Sequence, residues 1–550
     1  MTFRFARLAS LLTFIAASAS AQVPVHARSP LWVGAPLDDY VRLLQLSGEV
    51  PLSSRMLRPL ESEARTLALA DTGALARNPW RAEYGARQAT DTARFAVEAY
   101  DPIVRLTSNS AVPFGANDGA LWQGRGLNAD VQLGGAVRYG PLTVRLAPVA
   151  TWSQNRDFPL GAFNAAPAGS SPYVDPYAPG RIDMPQRFGD AAVKRIDWGQ
   201  SSIQLNGRGV RAGVSTENMW WGPGIESSIL MSNNAGGLPH AFLGTEHPLD
   251  IRIGKLEALY TVAGMQQSDF WRTGVADSLT HRWMNALALV FEPAPTPGLY
   301  LGAVRMFYAY VPERGVGLHD LTDVFQPLTK NPLRTDANPS GDDRRDQMIS
   351  LFARWVFPAS NLEIYGEFGR NDHSVDERDL ILEPEHASGY VAGIQKLFPQ
   401  ADGFVRFNAE MIDLASGLTR TVRASPTWYA HHIVQQGYTE RGQVIGAAVG
   451  PAGQGQTARL DWYRRWGSAG AFVQRQRENT DAYFAAFTTP FNRYSHDTFL
   501  GFGARGTLLT GPADVSLSLL RQHEYNRYFI RDNDVVNLHA ELGVQLRLPR

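Results

Sequence analysis

Two short blocks hold the side chains best suited to engage a polyhydroxylated ligand. Trp220-Trp221-Gly222-Pro223-Gly224 closes a strand-like stretch that begins near Val210. Two indoles offer flat faces for stacking on sugar C–H groups, while Gly and Pro set a rigid turn. Successive side chains on a strand point to opposite faces, so the indoles share a face only if the turn intervenes. The architectural reading, indoles filling a barrel mouth or anchoring an interface, is therefore the favoured one. The second block is Ser232-Asn233-Asn234-Ala235-Gly236-Gly237, between Ile229-Leu230-Met231 and Leu238-Pro239. Asn amides both donate to and accept from hydroxyls, but they also sit readily in left-handed turns. Tyr173, Tyr177, Trp428 and Tyr429 are further stacking candidates. These four, with Trp220, Trp221, Asn233 and Asn234, form the candidate ligand-binding set.

Other chemistries find less support. Ser232, His240 and Asn233 are the residue types of a hydrolase triad, but no nucleophile-elbow pattern accompanies them. No enzyme activity is expected. His431-His432 and His247 could ligate a metal, yet neighbours on a strand diverge, so the pair is a poor chelate. No metal and no cofactor are expected. The chain has no cysteine, which excludes thiol catalysis. With 52 basic against 53 acidic residues the net charge is -1, and no basic footprint for nucleic acid exists. The charge-dense stretches Asp342 to Asp346 and Asp372 to Glu385 could pair arginines with uronate carboxylates. The blander reading, solvated loops whose charges cancel, is the favoured one.

The elements that must position these groups fall into three kinds. Arg4 and Arg7, the apolar run Leu8 to Ala17 and Ala19-Ser20-Ala21 read as a secretory signal cleaved near Ala21. Three stretches then show helical spacing: a segment from Leu37 to Leu46 behind Asp38-Asp39 and closed by Gly48, then Met56 to Ala70, then Asp91 to Ala99. From about Leu121 the period becomes two. Val131, Leu133 and Val137 alternate with Gln132 and Arg138; Ile364 and Phe368 with Glu363 and Glu367; Phe407 and Met411 with Arg406, Asn408 and Glu410; Leu538, Leu542 and Leu546 with His539, Glu541 and Gln545. Such dyads suit strands with lipid on one side and water on the other. A soluble β-sandwich or propeller with one wet face is the alternative. Tyr300, Phe307, Tyr308, Tyr310, Trp355, Phe357, Trp462, Tyr463 and Trp466 lie near strand ends, as interfacial girdles do. Four longer polar segments, 155–190, 312–346, 371–386 and 475–497, read as loops.

Several blocks resemble the Wzi family of capsule-assembly proteins. They are Asn117-Asp118-Gly119-Ala120-Leu121-Trp122-Gln123-Gly124-Arg125-Gly126-Leu127-Asn128, then Leu146-Ala147-Pro148 with Gln154-Asn155 and Phe158, and Ser215 through Gly224 running on to His240. The helical start with Leu43-Leu44, Gly48 and Pro51-Leu52-Ser53 is similar too. The resemblance implies an all-β transmembrane barrel of about 18 antiparallel strands with a small N-terminal helical bundle. It divides the chain into a signal peptide (1–21), a periplasmic helical segment that plugs the barrel (22–110) and an outer-membrane barrel with long extracellular loops (111–550). It implies an outer-membrane location in a Gram-negative-type bacterium. It also implies a lectin-like protein that binds exported capsular or surface polysaccharide and helps attach or organise the capsule. Outer-membrane lipids are the second partner. The alternative is a porin or carbohydrate channel of the same architecture. The chain departs from the usual aromatic barrel terminus, ending Leu546-Arg547-Leu548-Pro549-Arg550.

Overall fold

The computed structural model describes residues 25–59, 77–84, 94–272, 276–329, 345–372, 374–421, 423–486 and 494–549. The leader, residues 60–70 of the second helical stretch and Asp342 to Arg344 lie outside them. The described residues contain a closed barrel of eighteen antiparallel strands. In chain order they are β1 (Phe95–Asn109), β2 (Gly126–Tyr139), β3 (Leu142–Leu146 and Val149–Ser153), β4 (Val193–Asp197 and Ser202–Gly207), β5 (Val210–Ser215), β6 (His240–Thr245), β7 (Gly254–Gln266), β8 (His281–Pro293) and β9 (Leu299–Tyr310). The second half comprises β10 (Asp346–Phe357), β11 (Leu362–Asn371), β12 (Ser388–Gln400), β13 (Gly403–Asp413), β14 (Gln454–Arg464), β15 (Gly467–Arg477), β16 (Thr498–Leu509), β17 (Ala513–Tyr525) and β18 (Val535–Leu546). Each strand pairs with the next, and β18 closes on β1 from Gln545↔Ile103 to His539↔Asn109. Closure leaves no sheet edge to be satisfied in lipid. β3 breaks at Ala147-Pro148, where proline has no N–H to give the ladder.

The two ends differ. Gly140-Pro141, Arg208-Gly209, Ala401-Asp402 and Arg465-Trp466 are tight turns at one end, the end that also carries Val25–Arg28 and the close of β18. The loops at the other end are longer, with 154–192, 311–345 and 414–453 the extremes. Outer-membrane barrels place short turns in the periplasm and long loops outside. At the short-turn end Val25–Arg28 runs parallel to Val97–Tyr100 of β1, below the last β18 pair. Asp101 ties this corner together, accepting from Ser29 Oγ (2.7 Å) and Leu548 N (2.9 Å).

The dyads fall as the alternation requires. Ile364, Phe407, Met411, Leu538, Leu542 and Leu546 are exposed on the outer wall, while Glu363, Arg406, Asn408, Glu410 and His539 are buried facing in. Among the described residues no helix is long and apolar enough to cross a membrane. Trp355, Trp462 and Trp466 stand exposed near the short-turn rim, where a girdle belongs. Tyr300, Tyr308 and Tyr463 do not join it. They are buried, because their parity on the strand turns them inward. Phe307 is also buried, with the Arg305 guanidinium 5.0 Å from its ring.

The expected N-terminal region needs two corrections. Asp91 to Ala99 is not helical where described: the barrel starts at Phe95, not 111, since Ala96 to Ala99 pair with Arg138 to Gly135 of β2. Leu57 and Arg58 are likewise extended, pairing antiparallel to Trp221 and Trp220, and Met56 is a bend before them. The helix α1 (Pro36–Leu46) forms as the spacing predicts, opened by Pro36 and closed by Gly48 at φ 71°. It lies inside the lumen. Its apolar stripe, Leu37, Val41, Leu43, Leu44 and Leu46, packs into the main core cluster. Arg42 and Gln45 on its polar side are buried as well, and the charged wall supplies partners: Arg42 pairs with Glu363 (2.7 Å), half-exposed Asp39 with Arg406 (2.5 Å), and Gln45 accepts from Arg354 (3.2 Å).

Candidate functional site

Two of the long loops turn inward and join the core cluster that holds α1. The β5–β6 loop carries both sequence blocks into the lumen. Trp220-Trp221 lies against Leu57-Arg58, and Trp221 N donates to Met231 O (3.1 Å), so the loop doubles back on itself. Gly222 makes the bend at φ 129°, where a Cβ would sit 2.9 Å from Glu367 Oε2. The β13–β14 loop covers this from above. Tyr429 and Tyr438 hydroxyls donate to Ile229 O and Leu230 O (2.8 Å each), and Ser232 N donates to Ile445 O (3.0 Å). Helix, inward loop and cover form one apolar cluster continuous with the barrel wall.

The eight singled-out residues therefore separate. Trp220 and Trp221 are 3% and 0% exposed, with the Arg58 guanidinium 5.0 Å from the Trp220 ring. Trp428 and Tyr429 are each 1% exposed; Trp428 Nε1 donates to Ser388 O (3.2 Å). Tyr177 is buried against Phe529 and donates to Asp497 Oδ2 (3.0 Å). These five rings present no free face, which corrects their reading as stacking platforms: their apolar area is already covered by protein. Asn233 is also buried, and its Nδ2 donates to Asn117 O (2.8 Å). Asn234 and Tyr173 remain half-exposed. The triad types are not brought together either. Ser232 Oγ donates to Gly446 O (2.6 Å), and His240 Nδ1 sits 2.7 Å from Leu238 O.

Toward the loop end lies a cavity of about 360 Å3 between the plug and the wall formed by β13 to β16. Trp122, Asn234 and Gln443 line it, with Asp118, Glu410 and Arg459 deeper. Asn234 Nδ2 donates to Val444 O (3.0 Å), and Gln443 Nε2 to Asn234 O (3.2 Å), so these amides are held in place. Trp122 packs on Phe188 with ring centroids 4.8 Å apart and is half-buried. An indole flank beside fixed amides and carboxylates can stack on and hydrogen-bond a sugar. Burial pushes the Asp118 carboxyl up to about 7, against the pull of Arg105 at 2.7 Å. Trp122 and Gln443 were not among the residues singled out as ligand candidates. Trp122 stood in plain view within the Asn117–Asn128 block, but nothing in one sequence says that this loop and 443 share a wall.

This geometry defines an outer-membrane β-barrel whose lumen is occupied by its own N-terminal helix and inward loops. The family model described as capsule assembly protein Wzi matches residues 104–483, and the chain belongs to that family. Among solved structures, Wzi of Escherichia coli, an outer-membrane protein involved in group 1 capsule assembly and a carbohydrate-binding β-barrel, aligns over 94% of this chain and 99% of its own at 15% identity, with a TM-score of 0.59. Acinetobacter baumannii OccAB2 aligns over 81% of this chain and 97% of its own at 11% identity (TM-score 0.39). Pseudomonas aeruginosa OpdL aligns over 82% and 98% at 9% identity (TM-score 0.39). No curated protein sequence matches the chain. The protein is an outer-membrane barrel of a Gram-negative bacterium.

Proposed function

We propose that this protein is lectin-like: it binds exported capsular polysaccharide at its loop end and helps attach or organise the capsule at the cell surface, without catalysis. The observation that carries the reading is the filled lumen. α1 occupies the short-turn side, the Trp220–His240 loop the middle and the 427–446 segment the loop side, so diffusion of bulky solutes, the work of a porin, has no free bore. A plugged barrel still offers a rigid platform of loops. Its loop-end cavity, with Trp122, Asn234 and Gln443, supplies stacking and amide groups on fixed elements. The exposed apolar outer wall supports outer-membrane lipid as the second partner. The test is retention of the organism's own capsular polysaccharide by the purified, detergent-solubilised protein. Binding that Trp122→Ala weakens is the expected result. No retention by the parent protein would remove the lectin reading.

A further inference from the structure

A second cavity, of about 440 Å3, lies below the first, lined by α1 residues and the inner wall of β14 to β17. Two residues, Asn117 and Arg459, line both cavities. Ile225 borders the lower one and Glu226 the upper one, so the chain at 225–226 is the partition. The inner face of β15 reports the same level independently. Ser468 lines the lower cavity and Gln474 the upper one, and between them Phe472 lies under the Arg459 guanidinium at 5.6 Å.

The partition has a rigid frame and a thin closure. Its backbone is tied down: Ile225 N donates to Glu410 Oε2 (2.7 Å), Glu226 N to the same carboxylate (3.1 Å), and Asn117 Nδ2 to Glu226 O (2.8 Å). Between this frame and the wall stands a side-chain pair, Arg459 Nη2 to Glu226 Oε2. Arg459 Nε and Glu226 Oε1 have no hydrogen-bond partner among the described residues. Below the pair the wall continues polar, with Arg505 on Asp461 at 2.8 Å and 2.5 Å. A frame held by backbone contacts does not collapse when one side chain leaves, so loss of the pair opens a hole rather than closing the plug.

We propose that the two cavities are halves of one narrow polar passage beside the plug, latched by the Glu226–Arg459 pair, which admits water and small ions when the latch parts. Pockets of this volume, lined with charge, suit hydrated ions and small polar solutes, and a polysaccharide chain does not thread from one to the other. The upper half of the passage is the loop-end cavity itself, but the latch does not depend on which ligand that cavity takes.

The full chain in planar bilayers tests it. The parent protein should show no discrete conductance steps. Glu226→Ala and Arg459→Met each produce small steps, and the exchange Glu226→Arg with Arg459→Glu abolishes them. Silence of either single variant that migrates as a folded, heat-modifiable barrel overturns the proposal, as does an exchanged pair that conducts like the single variants. The cysteine-free chain allows a second readout that needs no current. A charged thiol reagent added from the loop side should label Gln474→Cys in every background, but Ser468→Cys only when Arg459→Met is present. Equal labelling of Ser468→Cys with and without the latch overturns the gate, and its protection in both overturns the passage.

Discussion

Four donors converge on the Glu363 carboxylate: Arg42 Nε (2.7 Å), Gln395 Nε2 (2.9 Å), and Arg354 through Nε (2.9 Å) and Nη2 (2.7 Å). Both arginines and the glutamate are buried. Removing one partner of such a group strands charge in a low-dielectric site, at a cost of about 3–5 kcal/mol. Glu363→Gln is therefore expected to lower the unfolding free energy, read from urea titrations of the lipid-embedded barrel, by an amount in that range. A loss under about 1 kcal/mol, the value of an exposed pair, would show that α1 does not depend on this contact. Asp175 makes a pH-dependent counterpart in the β3–β4 loop. Its Oδ2 accepts from Tyr177 N (3.0 Å) and Ala178 N (2.5 Å), but burial dominates and pushes the carboxyl up from 3.8 to about 6. The folded loop thus holds a proton that the unfolded loop gives up. Its stabilisation is full below pH ~4 and is lost as pH rises through about 6. Hydrogen exchange of residues 155–190, corrected for intrinsic rates, should show protection falling between pH 4 and 7. Asp175→Asn should flatten that fall, and an unchanged fall in the variant would assign it elsewhere. At the cavity, one stacked indole is worth roughly 1.4 kcal/mol, so Trp122→Ala should weaken polysaccharide binding about tenfold. An unchanged affinity would move the glycan site to other loops.

At the level of elements, the plug depends on bends that only glycine tolerates. Gly437 holds φ +64° inside the segment that carries Tyr429 and Tyr438, and an added Cβ would lie 2.2 Å from Tyr429 O. Gly437→Ala should loosen the cover while leaving strand content unchanged, read as faster protease cleavage within 427–446 at constant circular dichroism. Equal cleavage of the two proteins would show that the cover tolerates the bend. Legibility in sequence was uneven at this scale. The wall strands were readable because lipid and lumen impose opposite polarity on alternate residues. Helix α1 was readable from Leu37, Val41, Leu44 and its Gly48 stop. Ala96 to Ala99 misled, since two alanines, a valine and a glutamate fit a helix turn as well as a strand, and only pairing with Gly135 to Arg138 decides. Trp220-Trp221 and Asn233 were readable as architecture, though not as partners of Leu57-Arg58 and Asn117, because those contacts join segments far apart in the chain.

For the whole molecule, closed barrel and filled lumen act together. Excising residues 29–59, which include α1 and the strand against Trp220-Trp221, removes what the inward loop packs on and, by freeing the loops, should turn a silent barrel into one with large, sustained conductance in planar bilayers. A large conductance already present in the intact protein, equal to that of the excised form, would revive the porin reading. In cells, deleting the gene should release polysaccharide into the medium, measured as uronic acid or total hexose in supernatants. Normal cell-bound capsule in the deletion strain would separate this protein from capsule attachment. Sequence by itself determined the class of wall, the loops, the helix and the family, because each rests on local periodicity or on a contiguous block. Tertiary structure alone decided which faces are covered. The Trp-Trp-Gly-Pro-Gly and Ser-Asn-Asn-Ala blocks could have faced a ligand or a core, and their residue types permit both. Only the arrival of α1 and the 427–446 segment, drawn in by the apolar area and buried charge they satisfy together, made them core and left the open wall to Trp122, Asn234 and Gln443.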